Sequence, residues 1–165
     1  MLYEIRVELQ CIAPPIWRVL RVSPQTKLLK LHRIIQKSMG WTDSHLHEFT
    51  TNEKPYQKLS ERIDLEKAFT TQKSFRYLYD MGDGWEHEIT LLGVVGGIEE
   101  AICVSGARAC PPENCGGPPG YYDLLVALSD PDHEEHKSLR EWVGVKYDPN
   151  AFDLDVVNKA LKRLR

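Results

Sequence analysis

The segment YEIRVEL, residues 3–9, alternates apolar and polar side chains along its whole length. A period of two predicts a half-buried β-strand with one face turned towards the core. Pro14 and Pro15 interrupt the pattern, which resumes over residues 16–22. Two alternating runs separated by a short break predict an antiparallel pair, so we expect the fold to begin with a hairpin.

The next segment has the periodicity of a helix. Residues 27–39 carry one apolar stripe and are predicted to be helical, with Thr26 as the N-cap and Gly40 at the end. Asp83-Gly84 predicts a tight turn between two later strands. The other predicted elements are strands over 45–51, 73–80 and 85–95, loops over 52–60 and 103–120, a short helix over 60–69, and helices over 121–128, 133–143 and 152–164.

Together these elements predict one α+β domain over residues 1–165. Its sheet is expected to be mixed or antiparallel with about five strands, in the order hairpin, helix, strand, hairpin, followed by a helical C-terminal third. The composition is 42% hydrophobic and 27% charged, which excludes disordered, collagen-like and coiled-coil chains.

The sequence also predicts where the protein resides. It contains no run of about 18 apolar residues, so no membrane span and no membrane partner is expected. Glu4, Arg6 and Glu8 stand where a signal peptide needs its apolar segment, which favours a cytoplasmic location. In that compartment the four cysteines are expected to be reduced.

Charge is unevenly distributed along the chain. The net charge is −3, yet residues 1–40 hold seven basic residues and only two acidic ones. The basic residues are Arg6, Arg18, Arg21, Lys27, Lys30, Arg33 and Lys37. This basic N-terminal region is compatible with a nucleic-acid or protein partner, and a solvated surface gives the same pattern.

Three histidines on predicted strands form the first candidate metal site. His45 and His47 point to the same side of one strand, and a later strand places His87 beside Trp85. Three imidazoles with one open position are a ligand set of catalytic zinc. The alternative is that each histidine bonds to a neighbour across the sheet.

Three cysteines form the second candidate metal site. Cys103, Cys110 and Cys115 are separated by six and four residues, unlike the two close pairs of common zinc motifs. A structural zinc is one hypothesis for this segment. Free thiols buried in a tight loop are the other.

Two glycine-containing segments concentrate polar side chains, at residues 80–88 and 108–121. Because glycine allows close approach of the main chain, we expect the two segments to pack together, joined by a carboxylate–Arg108 pair. The candidate pocket residues are Trp41, Asp80, Asp83, Trp85, Glu86, Arg108, Glu113 and Tyr121. For the two tryptophans, packing in the core is the alternative to lining a pocket.

Several long motifs are similar to those of one known family. They are Pro14-Pro-Ile-Trp-Arg18, Gly40-Trp41 with His45-Leu-His-Glu-Phe49, Tyr79-Asp-Met-Gly-Asp-Gly-Trp-Glu-His-Glu88, the segment 106–121, and the closing Phe152-Asp153. Across residues 3–164 the chain resembles the plasmid Orf-three-like family. That family is named after an open reading frame of a root-inducing plasmid and is also labelled a transposon-passenger TnpR-like family. The resemblance implies a prokaryotic α+β domain, often encoded near mobile elements, with no assigned reaction.

The resolvase label can be tested on the residues themselves. A serine resolvase needs a nucleophilic serine after Tyr-x-Arg-Val, and Glu8 stands at that position here. We therefore predict no serine-resolvase activity. The leading hypothesis is a non-catalytic binding or accessory domain associated with mobile elements. The alternative is a small hydrolase that uses zinc or another divalent metal at the three histidines, with Asp83 or Glu86 as general base.

Overall fold

The computed structural model describes residues 1–98 and 101–164. In this part of the chain, seven strands form one antiparallel sheet in the order β4-β3-β5-β6-β1-β2-β7. The strands are β1 (Leu2–Leu9), β2 (Trp17–Val22), β3 (His47–Thr51), β4 (Lys58–Leu59), β5 (Ser74–Tyr79), β6 (Trp85–Val95) and β7 (Ile102–Ala107). The helices are α1 (Leu28–Met39), α2 (Leu65–Ala68), α3 (Gly117–Ser129), α4 (His136–Val143) and α5 (Leu154–Lys162).

The α+β class and the N-terminal hairpin agree with the sequence prediction, but the sheet has seven strands instead of about five. The additional strands, β4 and β7, lie in segments predicted to be loops. β4 is only two residues long, too short to show alternation, and pairs with β3 at one edge of the sheet. In β7, Gly106 interrupts the side-chain pattern by which a strand is recognised. A glycine stands there because the Phe152 ring lies only 2.7 Å from the position that a Cβ would take.

Several helix boundaries also differ from the prediction. α1 begins at Leu28 and has no side-chain cap, so Thr26 does not serve as its N-cap. The short second helix begins only at Leu65, because the Asp64 carboxylate accepts a hydrogen bond from the Lys67 N–H and caps it. α3 begins inside the predicted loop, where prolines occupy its first turn.

The core lies between α1 and one face of the sheet. α1 buries its apolar stripe there, including Leu31, Ile34 and Ile35. The central strands contribute buried aromatic rings, among them Tyr77 and Trp85, both fully inaccessible. Burial of such stripes is the main favourable contribution to folding. No helix in the two described segments is both long enough and apolar enough to cross a bilayer.

Arg18 connects the end of α1 to the sheet. Its guanidinium is 2% exposed and donates to the carbonyl oxygens of Ser38 at 2.7 Å, Ala107 at 3.0 Å and Arg108 at 2.8 Å. Burial lowers the pKa of Arg18 from its ordinary value. Ser38 lies in the last turn of α1, where the helix dipole favours a cation. Arg18 thereby holds together the two segments that carry the site described next.

Candidate metal centre

One histidine and two carboxylates from three separate segments meet at the edge of the core. The Nε2 atom of His45 lies 3.4 Å from Oδ2 of Asp80 and 3.7 Å from Oε2 of Glu113. The three atoms are all within 4.8 Å of one another. In the part of the chain that the structure describes, this is the only group of three or more histidine, cysteine or acidic side chains with that spacing.

The pairing of β3 with β5 positions the first two members. His47 pairs with Tyr79 at the end of the ladder, so His45, just before β3, faces Asp80, just after β5. The Asp80 N–H donates to the Leu46 carbonyl at 2.9 Å, which extends the pairing by one bond. Asp80 itself has a φ of +61°, a left-handed conformation that aspartate tolerates better than most residues.

Hydrogen bonds hold the Asp80 carboxylate in one orientation. Its Oδ1 accepts the backbone N–H groups of Gly82 at 3.0 Å and Asp83 at 3.2 Å, in the tight turn before β6. The turn therefore occupies one oxygen of the carboxylate. The other oxygen, Oδ2, is directed at His45.

Glu113 is held in the same manner from the segment after β7. Its Oε1 accepts three hydrogen bonds, from the Thr42 N–H at 2.9 Å, the Thr42 hydroxyl at 3.0 Å and the Tyr79 hydroxyl at 2.8 Å. Burial, followed by the bond to Glu113, raises the pKa of Tyr79, so this phenol stays protonated and donates. Oε2 of Glu113 accepts none of these bonds and faces Nε2 of His45.

Two of the three converging atoms have no hydrogen-bond partner among the described residues. His45 Nε2 and Glu113 Oε2 are buried and unpartnered in the described structure. Buried polar atoms without a partner are costly, and such an atom calls for an explanation. Two ligands each about 2.1 Å from a tetrahedral metal ion stand about 3.4 Å apart, close to the observed separations from His45. The arrangement therefore has the size and the donor types of a metal centre.

The structure does not bring the three predicted histidine ligands together, because their ligand atoms form no common group among the described residues. The chain bends before β3, where Asp43 has a φ of +55°, so His45 lies outside the strand. His47 instead contacts Glu61 and stacks on His32, with ring centroids 3.5 Å apart. His87 is 1% exposed, and its Nε2 accepts from the Trp41 indole at 3.4 Å. Burial lowers the pKa of His87 to about 4, so it is neutral at pH 7.

The three cysteines likewise form no ligand group within the described residues. Burial raises the pKa of both Cys110 and Cys115 to about 12. Both are therefore thiols at neutral pH in the metal-free protein. The Cys103 thiol lies 3.3 Å from the Ser105 carbonyl, to which it donates. These contacts are those of buried structural thiols.

The two glycine-containing segments do contact each other. The Gly116 N–H donates to Oδ2 of Asp83 at 3.2 Å, and the Asp83 carbonyl occupies the space that a Cβ of Gly117 would need. Among the described residues, Arg108 forms no ion pair with a carboxylate, so the expected pair is not found there. Arg108 has a φ of +67° and donates instead to Oδ1 of Asn150 at 3.2 Å and to the Pro14 carbonyl at 2.8 Å.

The remaining candidate pocket residues lie outside the cluster. Trp41 is 3% exposed, while Trp85 and Tyr121 are fully buried, so these three rings belong to the core. Glu86 points to the other face of the sheet, where it pairs with Arg76. Of the predicted pocket, Asp80 and Glu113 reach the centre, and His45 joins them from the predicted histidine set.

With this geometry established, the chain can be compared with known proteins. Residues 1–156 match the family model for plasmid pRiA4b ORF-3-like proteins. The chain belongs to this family. It is 37% identical over 176 residues to y4hQ, an uncharacterized protein of Sinorhizobium fredii, covering 98% of this chain and 91% of that protein.

A solved structure supports the fold of this pRiA4b ORF-3-like protein. It is similar to the crystal structure of MM3350, a protein of unknown function from Methanosarcina mazei Go1, with a TM-score of 0.86 and 35% sequence identity. The match covers 93% of this chain and 96% of that one. The family and the fold follow from these comparisons.

Proposed function

We propose that this protein is a divalent-metal-binding domain whose centre consists of His45, Asp80 and Glu113. One observation carries the proposal: three ligand atoms converge while hydrogen bonds occupy the other oxygen of each carboxylate. Such outer bonds orient ligands in metal sites and increase their basicity. Two carboxylates and a neutral imidazole carry a net charge of −2, which a divalent cation balances.

The donor set selects a class of metal. One nitrogen and two carboxylate oxygens suit zinc or manganese, and they provide no soft sulfur ligand for copper(I). Zinc is expected to bind more tightly than manganese at equal concentration. The proposed metal class is the one predicted from the sequence, zinc or another divalent ion, but two of the three predicted histidine ligands are replaced by carboxylates.

The test is a measurement of metal content with matched variants. Equilibrium dialysis against zinc or manganese should give about one equivalent on the wild type. Glu113→Gln preserves the oxygen that accepts three hydrogen bonds and should lose the metal. His47→Gln, altered two residues from His45 but outside the cluster, should retain it. Metal retained in Glu113→Gln, or lost in Cys110→Ser, would overturn the proposal.

Hydrolysis is a second candidate function, favoured by the partial exposure of the His45 side chain. The His45 side chain is 29% exposed, and three protein ligands leave a coordination position open for water. Metal-bound water is a nucleophile near neutral pH. The metal-loaded protein should then cleave a phosphodiester probe, bis(p-nitrophenyl) phosphate, and Glu113→Gln should not. Equal rates for both proteins would leave metal binding without hydrolysis.

We further propose that the chain acts as one domain, as an accessory factor in the cytoplasm associated with mobile elements. Packing of α1 against a single continuous sheet supports the single domain. The accessory role rests on the family resemblance. Fractionation of cells that carry the native gene tests the location.

A further inference from the structure

Four of the seven basic N-terminal residues are buried or paired with a carboxylate, so they do not form a free cationic surface. Arg18 is buried, and the other three pair with carboxylates. These pairs are Arg6 with Glu8, Arg21 with Glu4, and Lys27 with Asp64. The remaining three, Lys30, Arg33 and Lys37, are exposed on α1 and form no ion pair with any described residue.

These three cations follow one side of α1. The spacings of three and four residues place them on a single helical face. α1 contains no acidic residue that would neutralise them. From Lys30 to Lys37 the face runs about 10 Å along the helix axis. The buried stripe lies on the opposite side, so these cations contribute nothing to the core.

α5 packs beside α1 and extends the positive charge. It contacts α1 directly, and Lys37 lines a cavity of about 340 Å³ together with Val156, Val157 and Ala160 of α5. The C-terminal half of α5 and the residue after it add three exposed cations and no acidic residue. We call the whole set the α1–α5 basic face, composed of Lys30, Arg33, Lys37, Lys159, Lys162 and Arg163.

We propose that the α1–α5 basic face binds the phosphate backbone of duplex DNA. Six exposed cations on two helices in contact form a local positive field, offset on these helices only by Asp153 and Asp155 at the start of α5, and this field attracts a polyanion despite the net charge of −3. Duplex DNA carries one charge per about 1.7 Å of axis, so the length of the face spans several phosphates. Lysine and arginine on two adjacent helices contact phosphates without reading bases, so the binding is not sequence-specific.

The composition of the face favours DNA over a membrane surface. Helices that lie on membranes insert tryptophan, phenylalanine or leucine between the lipids. Neither α1 nor α5 contains tryptophan or phenylalanine, and their exposed large apolar side chains are limited to Leu29, Leu154 and Val156. The proposal is independent of the metal centre, because none of the six cations belongs to the cluster around Glu113.

Fluorescence anisotropy with a labelled 20-base-pair duplex tests the proposal, with EDTA present so that the metal centre is not involved. The wild type should bind at 50 mM NaCl, and about six phosphate contacts should weaken binding about a thousandfold by 200 mM. The triple variant Lys30→Gln, Arg33→Gln, Lys37→Gln should bind at least tenfold more weakly, with a shallower salt dependence. The substituted side chains are exposed, so circular dichroism should show an unchanged fold.

A control variant removes the same charge elsewhere. Lys54→Gln, Lys58→Gln, Arg62→Gln alters exposed residues in and around β4, at the edge of the sheet, and should bind like the wild type. Absence of binding at 50 mM NaCl, or equal loss in both triple variants, would overturn the proposal. The proposal would also be overturned if duplex DNA did not bind while phosphatidylserine vesicles bound and required the α1–α5 basic face.

Discussion

Asp80→Asn should increase the stability of the metal-free protein and abolish its binding of metal. Asparagine keeps the Oδ1 atom that accepts the Gly82 and Asp83 N–H groups, and it tolerates the left-handed backbone of residue 80. The substitution therefore alters only the atom that faces the cluster. It replaces a charged oxygen with an amide that can donate to Oε2 of Glu113.

The size of this stabilisation follows from the distance between the two carboxylates. Oδ2 of Asp80 and Oε2 of Glu113 lie within 4.8 Å of each other, and at that upper limit two like charges repel by about 3 kcal/mol at the effective dielectric constant of a protein surface. Solvent reaches the cluster through the part-exposed His45 and screens part of this repulsion. We expect Asp80→Asn to stabilise the metal-free protein by about 1 kcal/mol, against a stability of about 5–15 kcal/mol for a domain of this size.

Urea unfolding at pH 8, above the range in which free histidine side chains titrate, measures both effects. In EDTA the variant should be more stable than the wild type. With zinc at a hundred times the dissociation constant, the wild type should gain about 2.7 kcal/mol and the variant nothing. Asp83→Asn, in the same turn but outside the cluster, should respond to zinc like the wild type. A metal-free Asp80→Asn protein less stable by more than about 1 kcal/mol would show a structural ion-pair network instead.

Three further predictions concern the support around the centre. Burial lowers the pKa of His87 to about 4 in the folded protein, against about 6.5 in the unfolded chain. The free energy of unfolding should therefore fall by about 3 kcal/mol as pH decreases through that range. Urea titrations of His87→Gln should not show this loss. Arg18→Met leaves buried carbonyls unpaired and should cost about 3–5 kcal/mol in urea unfolding, while Arg21→Met on the same strand, with its side chain 37% exposed, should cost less than about 1 kcal/mol. Gly117→Ala, where a Cβ would meet the Asp83 carbonyl and φ is +69°, should cost about 2 kcal/mol and weaken zinc binding measured by dialysis, whereas Gly93→Ala in open space should change neither.

The parts of the fold predictable from sequence are those with a local signal. The alternation of β1 and the Asp83-Gly84 turn are properties of adjacent residues, so the hairpins could be recognised. β7 could not be recognised, because the glycine at position 106 is explained only by the Phe152 ring, which packs there from a distant segment. β4 pairs through only two residues, which is too few for a periodic pattern.

The candidate site was predictable in its residues but not in their grouping. Asp80 and Glu113 are conspicuous as carboxylates in glycine-containing segments, yet 32 residues separate them in the chain. The sequence pattern groups His45 with His47 because alternate residues of a strand share a face. The strand begins only at His47, so that rule does not apply to His45. The turn at Asp43, with its positive φ, was the overlooked feature.

Anomalous X-ray scattering from crystals grown with manganese or zinc tests the metal centre most directly. The account predicts one strong peak about 2.0–2.2 Å from Nε2 of His45, Oδ2 of Asp80 and Oε2 of Glu113. Crystals of Glu113→Gln grown in the same way should lack that peak. A wild-type structure with metal at Cys110 and Cys115, or with a direct ion pair between His45 and the two carboxylates and no peak between them, would contradict it.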